Sequence, residues 1–155
     1  AALFQEIMDY KNTSELFEQM KYESYAYSCV KSFKKMLKNP DSFIPYEIEF
    51  YASSDKKDLY PVCIIYYGAQ NGFGGNTTGY VLCSKENDAT DYEVEGYCDS
   101  LDENSYGSDL DDLLEKIICL RINTIKKFDR MGDIDMSRFK SVLKNEAYIA
   151  IKIIE

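Results

Sequence analysis

The spacing of apolar residues along the chain changes twice, and each change predicts a new kind of element. Apolar positions first recur at helical spacing, and Asn12, Glu15 and Pro40 bound this pattern, so it predicts a helix from residue 13 to 38. Alternation and short apolar runs then predict four strands, at 46–51, 60–68, 77–84 and 91–99. The middle two are apolar on both faces, which is typical of strands inside a sheet.

The last third of the chain returns to helical spacing. Ser108 and Asp111 resemble a capping box, and Gly132 is expected to end the helix that they begin. The apolar stripe predicts that this helix packs on the sheet through Leu113, Leu114, Ile117, Ile118 and Ile125. A short helix at 136–144 and a strand at 148–154 follow.

The order of these elements predicts the fold class. A helix, four strands, two further helices and a last strand indicate an α+β fold, with the helices packed on a mostly antiparallel sheet of four to five strands. No linker or repeat divides the chain, so its 155 residues are expected to form a single α+β domain, 1–155.

A dense run of glycines lies in the segment YYGAQNGFGGNTTGYVLC, residues 66–83. Such a run can cradle a phosphate, but a phosphate loop leads into a helix and usually carries a Lys followed by Ser or Thr. Here strand-like residues lie on both sides, so the glycines favour a hairpin whose turn is centred near Phe73. This hairpin brings Cys63 close to Cys83, either as a disulfide bridge or as two buried thiols.

Composition and charge argue against several functional classes. The net charge of −9 disfavours nucleic acid, whose binding depends on Lys and Arg. Because the chain has no His, it lacks Ser-His and Cys-His nucleophile pairs, and its five cysteines are scattered without a C-x-x-C pair. No catalytic residue, metal site or cofactor is therefore predicted. No apolar stretch is long enough to predict a transmembrane segment.

The acidic segment DSLDENSYGSDLDD, residues 99–112, partly matches an EF-hand calcium loop. Asp102, Asn104 and Gly107 fit three of the loop positions. Leu113 stands where the loop requires a bidentate Glu, so a solvated loop that leads into a helix is the favoured interpretation.

Two of the alternating strands suggest a candidate binding surface. On a single sheet they could share one face formed by Glu47, Glu49, Tyr51, Glu93, Glu95 and Tyr97. Tyr gives contact area at low entropic cost, and the carboxylates favour cationic or hydroxyl-rich partners. Paired carboxylates beside aromatic rings are also what a glycosidase uses, and a solvent-facing sheet has the same pattern.

The chain carries K-N-P-x-S and A-x-N-x-F-G motifs within three short segments, LKNPDSF (37–43), YYGAQNGFGG (66–75) and GYVLC (79–83). Through these segments it resembles a family of small uncharacterised bacterial domains of secreted or lipoprotein-like type. The resemblance implies a location in the cell envelope or outside the cell, and it implies no activity. The chain begins AALFQEI without an initiator Met, so we expect that a preceding segment such as a signal peptide has been removed. The residues alone leave a cytoplasmic location open.

These observations favour a non-enzymatic binding or interaction domain of the bacterial cell envelope, with a protein, peptide or glycan as its partner. Two other functions stay open. One is a carboxylate-dependent, glycosidase-like hydrolase that uses the same sheet face. The other is a structural or oligomerisation module in which the apolar last strand pairs with another chain.

Overall fold

Helices flank both faces of an antiparallel sheet in the computed structural model of the chain, which describes residues 2–52 and 60–144. The helices are α1 (Ala2–Lys34), α2 (Leu110–Ile125) and α3 (Met136–Lys144). The strands are β1 (Ile44–Tyr51), β2 (Val62–Gln70), β3 (Asn76–Ser84), β4 (Glu93–Cys98) and β5 (Arg130–Met131). Short 3-10 turns at Pro40–Ser42 and Glu103–Ser105 precede β1 and α2. The predicted α+β class is confirmed.

The sheet has the strand order β4-β3-β2-β1-β5, and every pairing is antiparallel. β1 to β4 each pair with their neighbours in sequence, whereas β5 lies against the outer edge of β1, where Tyr51 pairs with Arg130. The sequence did not predict β5, because two residues are too few for alternation to be visible. The predicted strand at 148–154 lies outside the described residues.

α1 and α3 pack on one face of the sheet. The largest fully buried side chains of this core are Phe33, Phe50, Ile65, Tyr92 and Phe139. α1 is continuous through residue 12, so the predicted start at Asn12 is wrong, and it ends at Lys34 rather than at 38. α3 has the predicted bounds.

α2 packs on the opposite face, but largely through a different side from the one predicted. Its buried residues are Cys119, Ile122 and Ile125, which join a core with Val62, Ile64 and Leu82 of the sheet. Leu113, Leu114 and Ile117, which were predicted to be in the core, are 45%, 53% and 58% exposed. The prediction for Ile125 is confirmed, and the prediction for these three residues is wrong.

The ends of α2 also differ from those predicted. Asp109, not Ser108, caps the helix, because its carboxylate accepts a hydrogen bond of 2.9 Å from the backbone N–H of Asp112. The helix ends at Ile125, well before Gly132, at which the backbone turns with a φ of 61°.

The glycine-rich segment forms the predicted hairpin between β2 and β3. Gln70 pairs with Asn76, so the turn is centred on Phe73 as expected. The side-chain oxygen of Asn71 holds the turn by accepting hydrogen bonds from two of its backbone N–H groups, at 2.9 and 3.0 Å. Gly74 has a φ of 82°, a conformation that favours glycine.

The same register places Cys63 directly opposite Cys83, as predicted. Of the two states that the sequence left open for this pair, the structure has two buried thiols. All five cysteines lie within the described residues, are buried and are in the thiol form rather than in disulfides.

Candidate functional site

The structure divides the six residues of the predicted binding surface into two groups. Glu47, Glu49 and Tyr51 belong to β1, and the other three belong to β4. Because β2 and β3 lie between these strands, the groups are about 14 Å apart, which is three strand spacings. The six residues therefore do not form one common surface.

Tyr97 also lies on the other face of the sheet from Tyr51. The Tyr97 ring contacts Phe33 of α1, with ring centroids 6.0 Å apart, whereas Tyr51 is buried in the core beneath α2. A bulge in β4 leaves Glu95 without a pairing residue on β3, so the alternation from Glu93 to Tyr97 is interrupted. This bulge is the physical reason why the predicted face does not continue along β4.

The carboxylate of Glu49 is engaged by two neighbouring groups. The Tyr51 hydroxyl donates a hydrogen bond to it, and the Lys126 ammonium lies 3.5 Å from it. Burial raises the pKa of Tyr51 to about 12, with a further contribution from this hydrogen bond to Glu49, so the phenol stays protonated at neutral pH. Glu49 thereby ties β1 to the residue that follows α2.

Glu95 is engaged on the same face of the sheet, but on β4 at its edge. Arg121 of α2 donates to its two oxygens at 2.9 and 3.2 Å, and the Ser84 hydroxyl forms a third hydrogen bond at 3.0 Å. α2 covers the sheet between Glu95 and Glu49. A glycosidase needs two carboxyl groups about 5 to 9.5 Å apart beside an open cleft, and these two glutamates do not meet that requirement.

The acidic loop before α2 forms local turns. The Asp102 carboxylate accepts a hydrogen bond of 3.0 Å from the backbone N–H of Asn104, which caps the short turn there. The Tyr106 hydroxyl donates to the carbonyl of Ser100 at 3.0 Å. Within residues 2–52 and 60–144, no three Asp, Glu, Cys or His side chains are grouped so that they could hold a metal ion.

α2 leaves part of its face of the sheet uncovered, and three tyrosines lie in a row there. Tyr66 and Tyr80 are directly opposed on β2 and β3, with stacked rings whose centroids are 4.9 Å apart. Tyr46 of β1 continues the row, with its ring centroid 5.4 Å from that of Tyr66. Tyr46 is exposed and the other two are partly exposed. These three residues form the tyrosine ladder.

Two local features place Tyr46 in the ladder. β1 contains a bulge between Pro45 and Glu47, so Tyr46 leaves the regular alternation of the strand. Its ring then lies over Gly68 of β2, where an added Cβ atom would be only 2.5 Å from the Tyr46 hydroxyl oxygen. The missing side chain of Gly68 therefore makes room for the outermost ring.

A polar groove of about 560 Å³ adjoins the ladder at Tyr46 and Gly68. Its other polar lining residues are Asn39, Asp41, Ser42, Gln70, Asn76, Thr77 and Thr78. The groove is organised by hydrogen bonds: the Asn39 amide donates to the Gln70 side-chain oxygen at 3.1 Å, and the Gln70 backbone N–H donates to the Ser42 hydroxyl at 2.8 Å. None of the described residues that line it is basic.

The Tyr80 end of the ladder is uncharged at neutral pH. Burial raises the pKa of Tyr80, and the neighbouring Tyr66 and Glu47 raise it further. The Lys126 ammonium lies 5.3 Å from the centroid of the Tyr80 ring, and Glu49 balances its charge. The ladder thus offers aromatic faces next to a groove of amide and hydroxyl groups that also contains one carboxylate, that of Asp41.

The tyrosine ladder was not predicted, although one signal for it is present in the sequence. Tyr66 and Tyr80 are each seven positions from Phe73, so the predicted hairpin already opposes them. No comparable signal exists for Tyr46, because regular alternation would place it on the same face as Ile48. The bulge that moves it to the other face becomes visible only in the pairing of β1 with β2.

Comparison of the chain with protein-family models, curated proteins and solved structures found no match. In the part of the chain that the structure describes, no helix has both the length and the apolar character needed to cross a membrane.

Proposed function

We propose that this protein is a non-enzymatic binding domain, and that its ligand is a neutral, hydroxyl-rich chain such as a glycan. One observation carries the proposal: three tyrosine rings in a row adjoin a groove lined by amides and hydroxyls. Ligand sites typically combine apolar or aromatic contact area with a few polar groups that fix orientation.

Sugar rings are chemically complementary to both parts of this surface, the tyrosine ladder and the polar groove. Their C–H faces are apolar and stack on aromatic rings, whose contact area is large and stiff. Their hydroxyls both donate and accept hydrogen bonds, as do the amides of Asn and Gln and the hydroxyls of Ser and Thr. A groove without a basic residue favours such a neutral ligand over a phosphate or a carboxylate.

The state of the carboxylates supports binding without catalysis. Glu49 and Glu95 are each held by a cation and a hydroxyl. In the polar groove, Asp41 is the one carboxylate among the described lining residues, whereas a glycosidase uses two. A location in the bacterial cell envelope, which the sequence resemblance implies, fits this function because polysaccharides are abundant there.

A glycan screen with matched tyrosine variants tests the proposal. The protein is applied to immobilised neutral oligosaccharides of hexoses and N-acetylhexosamines, and the best ligand is titrated by calorimetry. We expect Tyr66→Ala to weaken binding at least ~10-fold, because Tyr66 is the central ring of the ladder.

Tyr97→Ala is the matched control, since it removes an exposed tyrosine from the opposite face of the same sheet. It should bind like the unaltered protein, and circular dichroism should show that both variants are folded. The proposal is wrong if no neutral glycan binds, or if the two variants lose affinity equally.

A further inference from the structure

The outer side of α2 carries an exposed apolar stripe. Its members are Leu110, Leu113, Leu114, Ile117 and Leu120, which are between 39% and 71% exposed. They recur at helical spacing over three turns, and α2 uses a different side, at Cys119 and Ile122, to pack on the sheet. This set is called the α2 stripe.

A continuous apolar stripe of this length is unusual on a protein surface. Scattered exposed apolar residues need no explanation, but a contiguous patch of large aliphatic side chains marks a site of association. Among the described residues, the core beneath the helix contains none of the side chains of the α2 stripe. Their burial against a partner would be favourable in proportion to the apolar area removed from water.

The charges along α2 indicate what that partner is. The start of the helix is acidic, with Asp109, Asp111 and Asp112, whereas its last turn carries no charge and Lys126 and Lys127 follow directly after it, so that this end of α2 is the basic one. An identical helix packed in the opposite direction would place its basic end beside this acidic start, and its acidic start beside this basic end. A parallel arrangement would instead bring like charges together.

We propose that two copies of this chain associate through their α2 stripes, with the helices antiparallel and the twofold axis near Ile117. The same patch then serves both subunits, as a twofold interface requires. Ile117 is the middle of the segment from Leu110 to Thr124, so it meets its own counterpart. Leu110 of each copy lies beside Thr124 of the other.

Cysteine cross-linking tests whether the partner is a second copy of the chain and whether the two α2 helices are antiparallel. The five native cysteines are buried, so an introduced surface cysteine is the reactive thiol. Under mild oxidation we expect Ile117→Cys to form a disulfide-linked dimer of twice the 17.9 kDa chain mass. Leu110→Cys is the matched control, since seven residues displace it ~10 Å along the helix from the axis, too far for a bridge to its own counterpart. A mixture of Leu110→Cys and Thr124→Cys chains should give a cross-linked heterodimer.

Light scattering of the unaltered full chain gives the second measurement. We expect a dimer at about 100 µM and a monomer for Ile117→Asp, whose exposed site should leave the variant folded, as circular dichroism can check. A monomeric unaltered chain would overturn the proposal. So would equal self-cross-linking of Leu110→Cys and Ile117→Cys, which indicates parallel helices. A monomer in which the Ile117→Cys thiol resists labelling would show that another part of the same chain covers the stripe.

Discussion

Cys63 and Cys83 lie directly opposite each other on β2 and β3, and the thiol of Cys29 from α1 is within hydrogen-bonding reach of both. All three side chains are fully buried. Burial raises the pKa of Cys29 well above its usual value, and it raises the pKa of Cys63 as well. The reactive thiolate form is therefore suppressed in the folded state.

We expect the native protein to be inert to a thiol reagent at pH 8 and to release five reactive thiols once it is unfolded without reductant. The measurement is the count of labelled thiols by mass spectrometry before and after unfolding. A count of three in the unfolded protein would show that one pair is bridged, and the opposed pair Cys63 and Cys83 would be the first to examine.

Ile122 and Ile117 offer a matched pair of truncations on one helix. Ile122 is fully buried where α2 packs on the sheet, whereas Ile117 is 58% exposed. Ile122→Ala should lower the free energy of unfolding by ~2–5 kcal/mol, because it leaves a cavity in the core, and Ile117→Ala should lower it by less than ~1 kcal/mol. Urea denaturation measures both, at a protein concentration low enough for the chain to be monomeric, so that association through α2 does not contribute. Similar losses for the two variants would contradict the packing of α2.

The assignment of α2 shows where sequence patterns stop being informative. α2 is apolar on more than one side, so helical spacing predicts the helix without selecting the side that faces the sheet. That choice depends on shape: Gly96 of β4 lets Ile118 approach closely, and the small Cys119 fits against the strand.

The hairpin was predictable down to its register because its glycines and flanking strands fix a symmetric turn. The bulges at Tyr46 and Glu95 were not predictable, because the alternation of apolar and polar residues in the sequence does not reveal a bulge.

Gly68→Ala tests the fit between β2 and the tyrosine ladder. The added methyl would collide with the Tyr46 ring, so we expect a loss of ~1 kcal/mol in unfolding free energy and a weaker contact between Tyr46 and Tyr66. The control is the same change in a Tyr46→Ala background, where no ring is present to collide. Gly68→Ala should be neutral there, and an equal loss in both backgrounds would mean that the cost arises elsewhere in β2.

The free energy of unfolding should fall at alkaline pH, because folding raises the pKa values of a thiol and two phenols. Burial raises the pKa of Cys98 to about 12, with Cys119 contributing, and burial raises the pKa of Tyr51 and Tyr106 to about 12. In the unfolded chain these groups lose protons near pH 8.5 for Cys and near pH 10 for Tyr. The folded state then holds more protons than the unfolded state, so its stability falls as pH rises from about 8.5 towards 12.

The midpoint of urea unfolding, measured at pH 7, 9 and 10.5, gives this dependence directly. We expect little change up to pH 8 and a steady fall above it. Cys98→Ala removes one of the titrating groups, so its midpoint should fall less steeply over the same range. A constant midpoint up to pH 10.5 would show that these groups titrate alike in both states.

The two bulges also affect whether the edges of the sheet can pair with strands of other chains. One lies in β4, which forms one edge, and the other lies in β1, whose outer side is covered only along the two residues of β5. A regular, flat edge strand is a template for further strands and hence for aggregation, whereas a bulge twists the edge and breaks the spacing of its free hydrogen-bonding groups. Pro45 removes a donor from β1, and Glu93 places a charge on β4. We therefore expect concentrated solutions of the folded protein to resist fibril formation.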